Sequence, residues 1–349
     1  MKVHLLCGPP PPELARALTE FEEPFTYPLG SDRSFRITHG DDYTLFFRTQ
    51  GLGACFVAEH QGRVSGVMGT ALRRIWMPDG RERIVAYLGD LKIAASARGG
   101  LVLARLAKAA EGWLRPKVDA AFGVVMGGTA LTPRAYTNRA GIPGFDEVGR
   151  LTLLRLSTKH LLTDHQQRSA QPPPGANPRF ETLPGRRPAL QSMEGSGQIK
   201  AEGFVTTAKT GLACYQRLSR GRYACPAGDA RARSQMAPVW LMHPDGTACG
   251  LLEDTRKAKR LVMGDGSELL SAHLSCFAYS SIVDAAELLE HALSFAVTMT
   301  LPGLFVAVIE QDAGELAASL PNIETHPAPA AVYATGLDAG AWNINTSEI

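Results

Sequence analysis

One stretch, residues 84–115, constrains the fold of this chain more than any other. It reads IVAYLGDLKIAASARGGLVLARLAKAAEGWLR. An apolar run from Ile84 to Ala95 leads into a small-residue turn with Gly99 and Gly100, and apolar residues at helical spacing follow. The pattern predicts a buried strand, a glycine turn and a long helix. Because the first N–H groups of a helix lack intrahelical partners and lie at the positive end of its dipole, the stretch also predicts an anion site.

The composition limits the classes of protein to which the chain can belong. With 349 residues, 45% of them hydrophobic, it is long enough for two domains. The net charge of +2 argues against a main role in binding nucleic acid or an anionic membrane. No apolar run approaches the ~20 residues of a membrane span, and the N-terminal apolar run is too short for a signal peptide. We therefore expect a cytoplasmic protein. The cysteines are scattered without a C-x-x-C pair, so we expect no metal site.

The elements around the central stretch form an order that occurs twice. In the first half, a hairpin signal at residues 60–63 precedes it, and a buried strand, a short helix from Thr132 and a closing strand follow. In the second half, a hairpin, a long apolar strand, a helix at 284–300, a buried strand, a short helix and a closing strand recur. Hairpin start to helix start is about 45 residues in each half, whereas sequence identity between the halves is low. The repeat is therefore structural.

A polar, proline-rich run separates the two halves. Residues 164–178 read DHQQRSAQPPPGANP, which is typical of a linker. We expect an N-terminal domain over residues 1–163 and a C-terminal domain over residues 179–349. Each is expected to be a mostly antiparallel mixed sheet flanked by helices, which gives a mixed α/β (α+β) fold class.

Three segments of the first half resemble the GCN5-related N-acetyltransferase (GNAT) superfamily. They are the strand Tyr87–Ile93, the turn Arg98–Gly100, and the segment Ala135–Ile142, which is similar to the family's short helix with its Tyr-x-x-x-Gly-Phe-like ending. The resemblance covers about residues 30–157, and the second half resembles the same fold by element order. It implies two tandem GNAT-like domains, an arrangement found in several branches of the superfamily, including aminoacyl and fatty-acyl transferases. It also implies acyl-CoA, in its simplest form acetyl-CoA, as co-substrate.

The turn before the long helix departs from the family's phosphate loop. Counting from Arg98, the family's glycines fall on Leu101 and Leu103. Either Gly100 takes the place of the first glycine in a shorter loop, or the loop is degraded. The second half has Ser280–Asp284 at the equivalent place, without glycine and with a carboxylate that repels a pyrophosphate. We therefore expect the second half not to bind acyl-CoA.

The resemblance assigns cofactor binding to the end of the central strand and to the turn. In the family, the pyrophosphate lies on amides of the turn and helix start, and a backbone N–H of the strand binds the oxyanion. The positions of this sequence that match are Leu91, Lys92, Ile93, Arg98, Gly99, Gly100, Leu101, Val102 and Asn138.

Acyl transfer to an amine needs a base, an oxyanion donor and an acid for the leaving thiolate. The resemblance gives the acid role to Tyr136. Asp90 is a carboxylate in an otherwise apolar strand, so it is either ion-paired, for instance with Lys92, or functional as the base. Glu59 is a second candidate base, and a water-relayed base is a third. A few tandem members use the C-terminal carboxylate instead, which requires the polar tail Asn343–Glu348 to fold back into a cleft.

The leading hypothesis is an N-acyltransferase that moves an acyl group from acyl-CoA to the primary amine of a small molecule. An amino acid, a polyamine and an aminoglycoside-like amine all remain open as acceptors. The alternative is a non-catalytic ligand sensor or interaction module, which the missing glycines favour. A transferase that uses charged tRNA would need a basic channel, for which the dispersed arginines offer little support. No nucleic-acid or membrane partner is expected, and a homodimer is compatible with the sequence.

Overall fold

One large sheet runs through both halves of the chain. The computed structural model describes residues 1–29, 33–129, 132–136, 142–158 and 203–349. The expected linker at 164–178 and the predicted cofactor residue Asn138 lie outside these residues. None of the described helices has the length and apolar character needed to cross a membrane.

The two halves alternate strands, helices and short 3₁₀ turns in a similar order. The strands of the first half are β1 (Lys2–Leu6), β2 (Thr26–Leu29), β3 (Arg33–Thr38), β4 (Leu52–His60), β5 (Arg63–Trp76), β6 (Glu82–Ile93), β7 (Ala121–Met126) and β8 (Asp146–Thr158). Its helices are α1 (Pro12–Glu22), α2 (Leu45–Arg48) and α3 (Val102–Leu114), with 3₁₀ turns at Ala95–Ala97 and Pro133–Tyr136.

The second half continues this numbering. Its strands are β9 (Val205–Thr206), β10 (Tyr223–Ala224), β11 (Val239–Met242), β12 (Ala248–Glu253), β13 (Arg260–Met263), β14 (Ser271–Tyr279), β15 (Gly303–Ile309), β16 (Ile323–Thr335) and β17 (Trp342–Asn343). Its helices are α4 (Ala208–Leu218), α5 (Ala230–Arg233), α6 (Ile282–Thr298) and α7 (Ala313–Ala318), with 3₁₀ turns at Glu310–Asp312 and Thr346–Glu348.

The middle strands of the large sheet are exchanged between the halves. The main strand order is β1-β4-β5-β6-β7-β16-β8-β15-β14-β12-β11-β9. Thus β16 of the second half lies between β7 and β8, while β8 of the first half lies between β16 and β15. The β8–β16 pair is antiparallel from Thr158, opposite Ile323, to Asp146, opposite Ala334. The mixed α/β class is confirmed, and the two halves complete one shared sheet.

The long helices pack on this sheet through one apolar face each, as their residue patterns predict. In α3, Val102, Leu106 and Ala110 are buried at four-residue spacing, which places them on one side of the helix. In α6, Leu289 and Leu293 show the same spacing and are buried. Each fully buried leucine stabilises the fold by roughly 1.5–3 kcal/mol, so these faces fix both helices against the strands.

A second, smaller sheet bridges the two halves. Its strand order is β13-β3-β2, and all its pairs are antiparallel. Strand β13 of the second half pairs with β3 of the first, with Arg260 opposite Thr38. We call it the bridging sheet. It brings the loop before β13 next to the end of β3, where the candidate site lies.

Three local features differ from the sequence prediction. The proline-rich N-terminus contains the predicted helix but also an edge strand, β1, paired with β4. The described part of the second short helix, Pro133–Tyr136, is a 3₁₀ turn. Strands β2, β10, β13 and β17 were not predicted, because strands of two to four residues are too short to show a periodic pattern.

Candidate active site

A bulge in β6 places Asp90 next to the predicted cofactor residues. The β5–β6 ladder pairs Gly69 with Gly89 and resumes where Val67 pairs with Lys92. Asp90 and Leu91 of β6 therefore lie opposite a single residue of β5, Met68. Asp90 has a φ of 54°, a left-handed conformation that aspartate tolerates better than most side chains. The bulge ends the regular alternation of the strand and re-aims its side chains.

Strands β6 and β7 separate beside this bulge. They are parallel, and their ladder consists of Ala86 opposite Ala121 and Tyr87 opposite Phe122. Strand β7 then pairs with β16 up to Met126. Among the described residues, the backbone at 89–93 therefore has no strand partner on the β7 side. Its N–H and C=O groups are free to bind a ligand there. Three predicted cofactor residues, Leu91, Lys92 and Ile93, lie on this open edge.

The turn after β6 leads to a helix N-terminus that no side chain caps. Leu101 is the N-cap residue of α3 and makes no side-chain hydrogen bond, and the first turn carries no acidic residue. The first N–H groups of α3 therefore remain free for an anion. Gly99 has a φ of 77°, which a residue with a Cβ adopts only with strain. The predicted residues Arg98, Gly100 and Val102 flank these two positions.

The second half repeats the bulge. The β12–β14 ladder pairs Cys249 with Ala278 and resumes where Leu251 pairs with Ser275. Cys276 lies in the two-residue bulge between these pairs and has a φ of 49°. Strands β14 and β15 separate after His273, which is the last residue of β14 paired with β15. The two halves thus share the bulge and the strand separation as well as the element order.

The tail of the chain fills the opening in the second half. Asn345 Oδ1 accepts a hydrogen bond from the backbone N–H of Cys276 at 2.7 Å, and the hydroxyls of Ser347 and Ser275 are 2.7 Å apart. Thr346 donates to the carbonyl of Phe305 on β15 at 3.2 Å. The side chains of Asn345 to Glu348 are all buried. The tail therefore folds back into the opening of the second half, and its Glu348 also reaches Arg73 of the first half. The use of a C-terminal carboxylate as the base stays a prediction.

The helix N-terminus of the second half also differs from that of α3. The Ser281 side chain caps α6 by accepting from the N–H of Asp284 at 3.4 Å. Hydrogen bonds from Thr247 and Ser281 lower the pKa of Asp284, so a negative charge stands in the first turn at neutral pH. A capped N-terminus with a carboxylate disfavours a pyrophosphate.

Asp90 belongs to a buried cluster of charged groups. Lys92 Nζ lies 2.7 Å from Asp90 Oδ1 and 3.2 Å from Glu22 Oε1. His39 Nδ1 lies 2.6 Å from the same Glu22 oxygen, and the Tyr43 hydroxyl donates to Asp90 Oδ2. Ligand atoms of Glu22, His39 and Asp90 lie within 4.8 Å of one another, as in a metal site. We call Glu22, His39, Tyr43, Asp90 and Lys92 the carboxylate cluster. The Lys92 ammonium contacts both carboxylates, so the cluster contains its own cation.

The pKa shifts in the carboxylate cluster determine which of its groups are ionised and which keep a proton. Burial alone would raise the pKa of Asp90, but Lys92, His39 and the Tyr43 hydrogen bond hold it below its usual value. Asp90 is therefore ionised at neutral pH. Burial would lower the pKa of Lys92, but the carboxylates of Asp90 and Glu22 raise it overall. Burial and Asp90 raise the pKa of Tyr43. Asp90 is thus an ionised carboxylate engaged by Lys92 and Tyr43, and these two partners keep their protons.

The other two predicted catalytic residues are not among the contacts of this cluster. Glu59 Oε2 lies 2.6 Å from His4 Nε2, and Glu59 Oε1 accepts from the N–H of Gly62 at 3.2 Å, beside the β4–β5 turn. Tyr136 is half-buried and ends the 3₁₀ turn that begins at Pro133. Because β6 and β7 are parallel, this turn and the N-terminus of α3 follow strand ends at the same edge of the sheet.

Sequence reasoning missed a buried lysine close to the cluster. Lys259 is 4% exposed, lies 4.7 Å above the Phe46 ring and donates to the main-chain oxygen of Ile349. Burial lowers its pKa to about 7, and the negative charge of Asp90 opposes this only in part. In the sequence it belongs to the charged run RKAKR at 256–260, which is typical of a solvated loop. Only the fold shows that it points inward.

The overall fold of the chain is similar to that of known structures. Two structures of Saccharomyces cerevisiae N-myristoyltransferase with bound myristoyl-CoA match almost the whole chain. One has a TM-score of 0.55 at 10% identity and covers 99% of this chain and 87% of that chain. The other has a TM-score of 0.56 at 11% identity and covers 96% and 79%.

The chain has the fold of these N-myristoyltransferase structures. No family model and no curated protein matches the sequence, so the similarity is one of fold and not of sequence. In this fold, the open edge of β6 and the N-terminus of α3 are formed by the residues to which the sequence resemblance assigns the acyl-CoA. That assignment covers the first half, and the tail occupies the corresponding opening of the second.

Proposed function

We propose that this chain transfers an acyl group from acyl-CoA to the primary amine of a small molecule by direct attack. One observation supports this most strongly. In the first half, an open strand edge and an uncapped helix N-terminus adjoin each other, whereas in the second half the tail fills the edge and Ser281 caps the helix. Within the described residues, the opening suited to an acyl-CoA is therefore that of the first half, and the second half would shape the acceptor side.

The cofactor would bind through the backbone. Its pyrophosphate would lie on the amides of Gly99 to Val102, where the dipole of α3 stabilises negative charge, and Arg98 would add a positive charge. The pantetheine arm would then pair with the open edge of β6 at Leu91–Ile93. This order brings the thioester to the bulge that carries Asp90.

The reaction would use groups on both sides of the thioester. The amine nitrogen attacks the carbonyl carbon, and a backbone N–H at Leu91–Ile93 stabilises the oxyanion. As the C–N bond forms, the nitrogen becomes acidic and passes a proton to Asp90, which is ionised. The C–S bond then breaks, and Tyr136 protonates the leaving thiolate. The products are the amide and free CoA.

A ligand sensor of the same fold is the second candidate function. It is favoured by the engagement of Asp90, since Lys92 and Tyr43 both contact its carboxylate. A base that exchanges these partners for a substrate amine must give up part of its ion pair. A sensor would bind acyl-CoA and keep the carboxylate cluster intact.

Calorimetry combined with a thiol-release assay tests the proposal. We expect one acyl-CoA per chain to bind at submillimolar concentration, with acetyl-CoA and myristoyl-CoA compared for chain length. We further expect thiol release that depends on an added amine. Absence of binding at millimolar acyl-CoA would exclude the enzyme and the sensor alike. Binding without thiol release over a broad amine panel would support the sensor.

A further inference from the structure

A polar cavity lies between the two halves, beside the carboxylate cluster. Its volume is about 290 Å³, and its walls are the end of β3 with the following turn and the loop that leads into β13. The bridging sheet holds these walls together, because Thr38 pairs with Arg260 in the β3–β13 ladder. The cavity thus lies at a junction between the first half and the second.

The walls of this cavity carry an excess of positive charge. The second half supplies Arg256, Lys257, Lys259 and Arg260, and the first half supplies one carboxylate, Asp41. Arg256 is already paired, since its Nη2 lies 2.9 Å from Asp254 Oδ2. Within the described part of the chain, Lys257 and Arg260 have no carboxylate partner. A concave site with unpaired cations of one sign concentrates anions.

Lys259 adds a buried cation to this wall. Its side chain is 4% exposed, and its hydrogen-bond partner among the described residues is the main-chain oxygen of Ile349. Burial and the positive charges of Arg233 and Lys92 lower its pKa, and Asp90 and Glu348 offset them only in part. An anion in the cavity would favour the charged form of Lys259 and gain a buried, charge-assisted contact.

Two side chains, those of His39 and Tyr43, connect the cavity to Asp90. His39 lines the cavity, and its ring lies 4.3 Å from the ring of Tyr43, whose hydroxyl donates to Asp90. A molecule with an anionic group in the cavity would therefore have its other end a few bonds away, near the carboxylate cluster. There the carboxylate of Asp90 suits an ammonium group. The two subsites have opposite charge, which matches a zwitterion.

We propose that this cavity binds a carboxylate or phosphate group of the acceptor, so that the acceptor is a small amine with an anionic group a few bonds from its nitrogen. The inference rests on the acyl transfer proposed above. It favours an amino acid or an amino phosphate over a polyamine, because a polycation would be repelled by Lys257, Lys259 and Arg260. Lys257 and Arg260 would act as binding residues and leave the chemical step to others.

The test removes the two exposed cations together and keeps the fold. The double variant Lys257→Gln, Arg260→Gln changes side chains at the cavity rim, both of which are exposed. The double variant Arg220→Gln, Arg231→Gln is the matched control, because it removes the same charge from exposed positions that do not line the cavity. Two measurements are made on all three proteins, one of binding without acyl-CoA and one of turnover.

The binding measurement uses inorganic phosphate and acetate as probes, followed by NMR. We expect both to bind the wild type and the control, and about tenfold weaker binding to the cavity variant. Equal binding to the wild type and the cavity variant would overturn the inference, as would no binding to the wild type. Because no acyl-CoA is present, this result decides the anion site even if acyl transfer fails.

The turnover measurement compares amines that differ only in the anionic group. Glycine is compared with glycinamide, and phosphoethanolamine with ethanolamine, which separates a carboxylate from a phosphate preference. In one of the two pairs, we expect kcat/KM of the wild type to be about tenfold or more higher for the anionic amine. In the cavity variant this preference should disappear because KM for the anionic amine rises. Equal kcat/KM within both pairs for the wild type would overturn the inference while leaving acyl transfer standing.

Discussion

Asp90 and Cys276 occupy the same position in the two halves of the sheet. Each is the left-handed residue of a bulge, with φ values of 54° and 49°, and each lies three positions after the last residue paired with the neighbouring parallel strand. The backbone N–H of Cys276 is bonded to Asn345 of the tail, whereas the strand edge next to Asp90 is open. One repeated structure has thus become a filled junction in one half and a candidate active site in the other.

Asp90→Asn tests the proton acceptor. Asparagine tolerates the left-handed conformation and retains hydrogen-bonding capacity toward Tyr43, but it accepts no proton from the amine. We expect kcat to fall about 100-fold or more while the affinity for acyl-CoA stays unchanged. Thiol release and calorimetry measure the two quantities. Glu59→Gln is the control and should change kcat little; the reverse pattern would move the base role to Glu59.

Gly99→Ala tests the turn before α3. At a φ of 77° an added Cβ costs roughly 1–2 kcal/mol of unfolding free energy, and the strained turn no longer aligns its amides with a pyrophosphate. Gly80→Ala is the matched control, since Gly80 has a φ of 84° in a hairpin turn and, like Gly99, has open space around an added Cβ. We expect similar losses of stability by urea unfolding, but weaker acyl-CoA binding only for Gly99→Ala. Unchanged binding in both variants would argue against this turn as the phosphate site.

Glu348→Gln tests the buried network that joins the tail to both halves. Glu348 Oε2 lies 2.6 Å from Arg73 of β5, and Oε1 lies 3.0 Å from Arg233 of α5. Removing this charge leaves Arg73 buried without a carboxylate, so we expect a loss of about 3–5 kcal/mol of unfolding free energy. Glu82→Gln makes the same chemical change in an exposed pair with Arg74, where we expect a change of about 0.5 kcal/mol or less. Similar losses in both variants would show that the network contributes little.

Lys259 predicts a specific dependence of stability on pH. Its pKa is about 7 in the folded protein against an ordinary value of 10.5, so between these values the unfolded chain binds one proton more. The stability of the wild type relative to Lys259→Met should therefore rise with pH above about 7, by up to about 1.4 kcal/mol per pH unit, and be constant at lower pH. Urea unfolding across this range measures it. The exposed Lys257→Met should show no such slope, and parallel curves for Lys259→Met would mean that Lys259 stays charged.

The sequence was sufficient for those parts of the fold that rest on local pattern. Hairpins with turn residues at 60–63 and 244–246, and apolar faces such as that of α3 around Leu106, are encoded within a few residues of one another. The repeat of element order was also visible. These features predicted the element order and the mixed α/β class, and the resemblance to the GNAT superfamily added the expected function.

The remaining features depend on residues that are far apart in the chain. The exchange of β8 and β16 joins segments more than a hundred positions apart. The alternation of apolar and polar residues in a strand does not specify which other strand it pairs with. The bulge at Asp90 depends on the register with Met68, which no local pattern sets. The ion pair of Lys92 with Asp90 was anticipated, but Glu22, His39 and Lys259 join the site through tertiary packing.

A crystal soaked with acetyl-CoA tests the central claim most directly. We expect one molecule per chain, with its pyrophosphate within hydrogen-bonding distance of the amides of Gly99 to Val102. Its pantetheine should lie along Leu91–Ile93, with the thioester next to Asp90. The tail should remain in the opening of the second half. Acetyl-CoA bound at the N-terminus of α6 with the tail displaced, or no binding at millimolar concentration, would contradict the account.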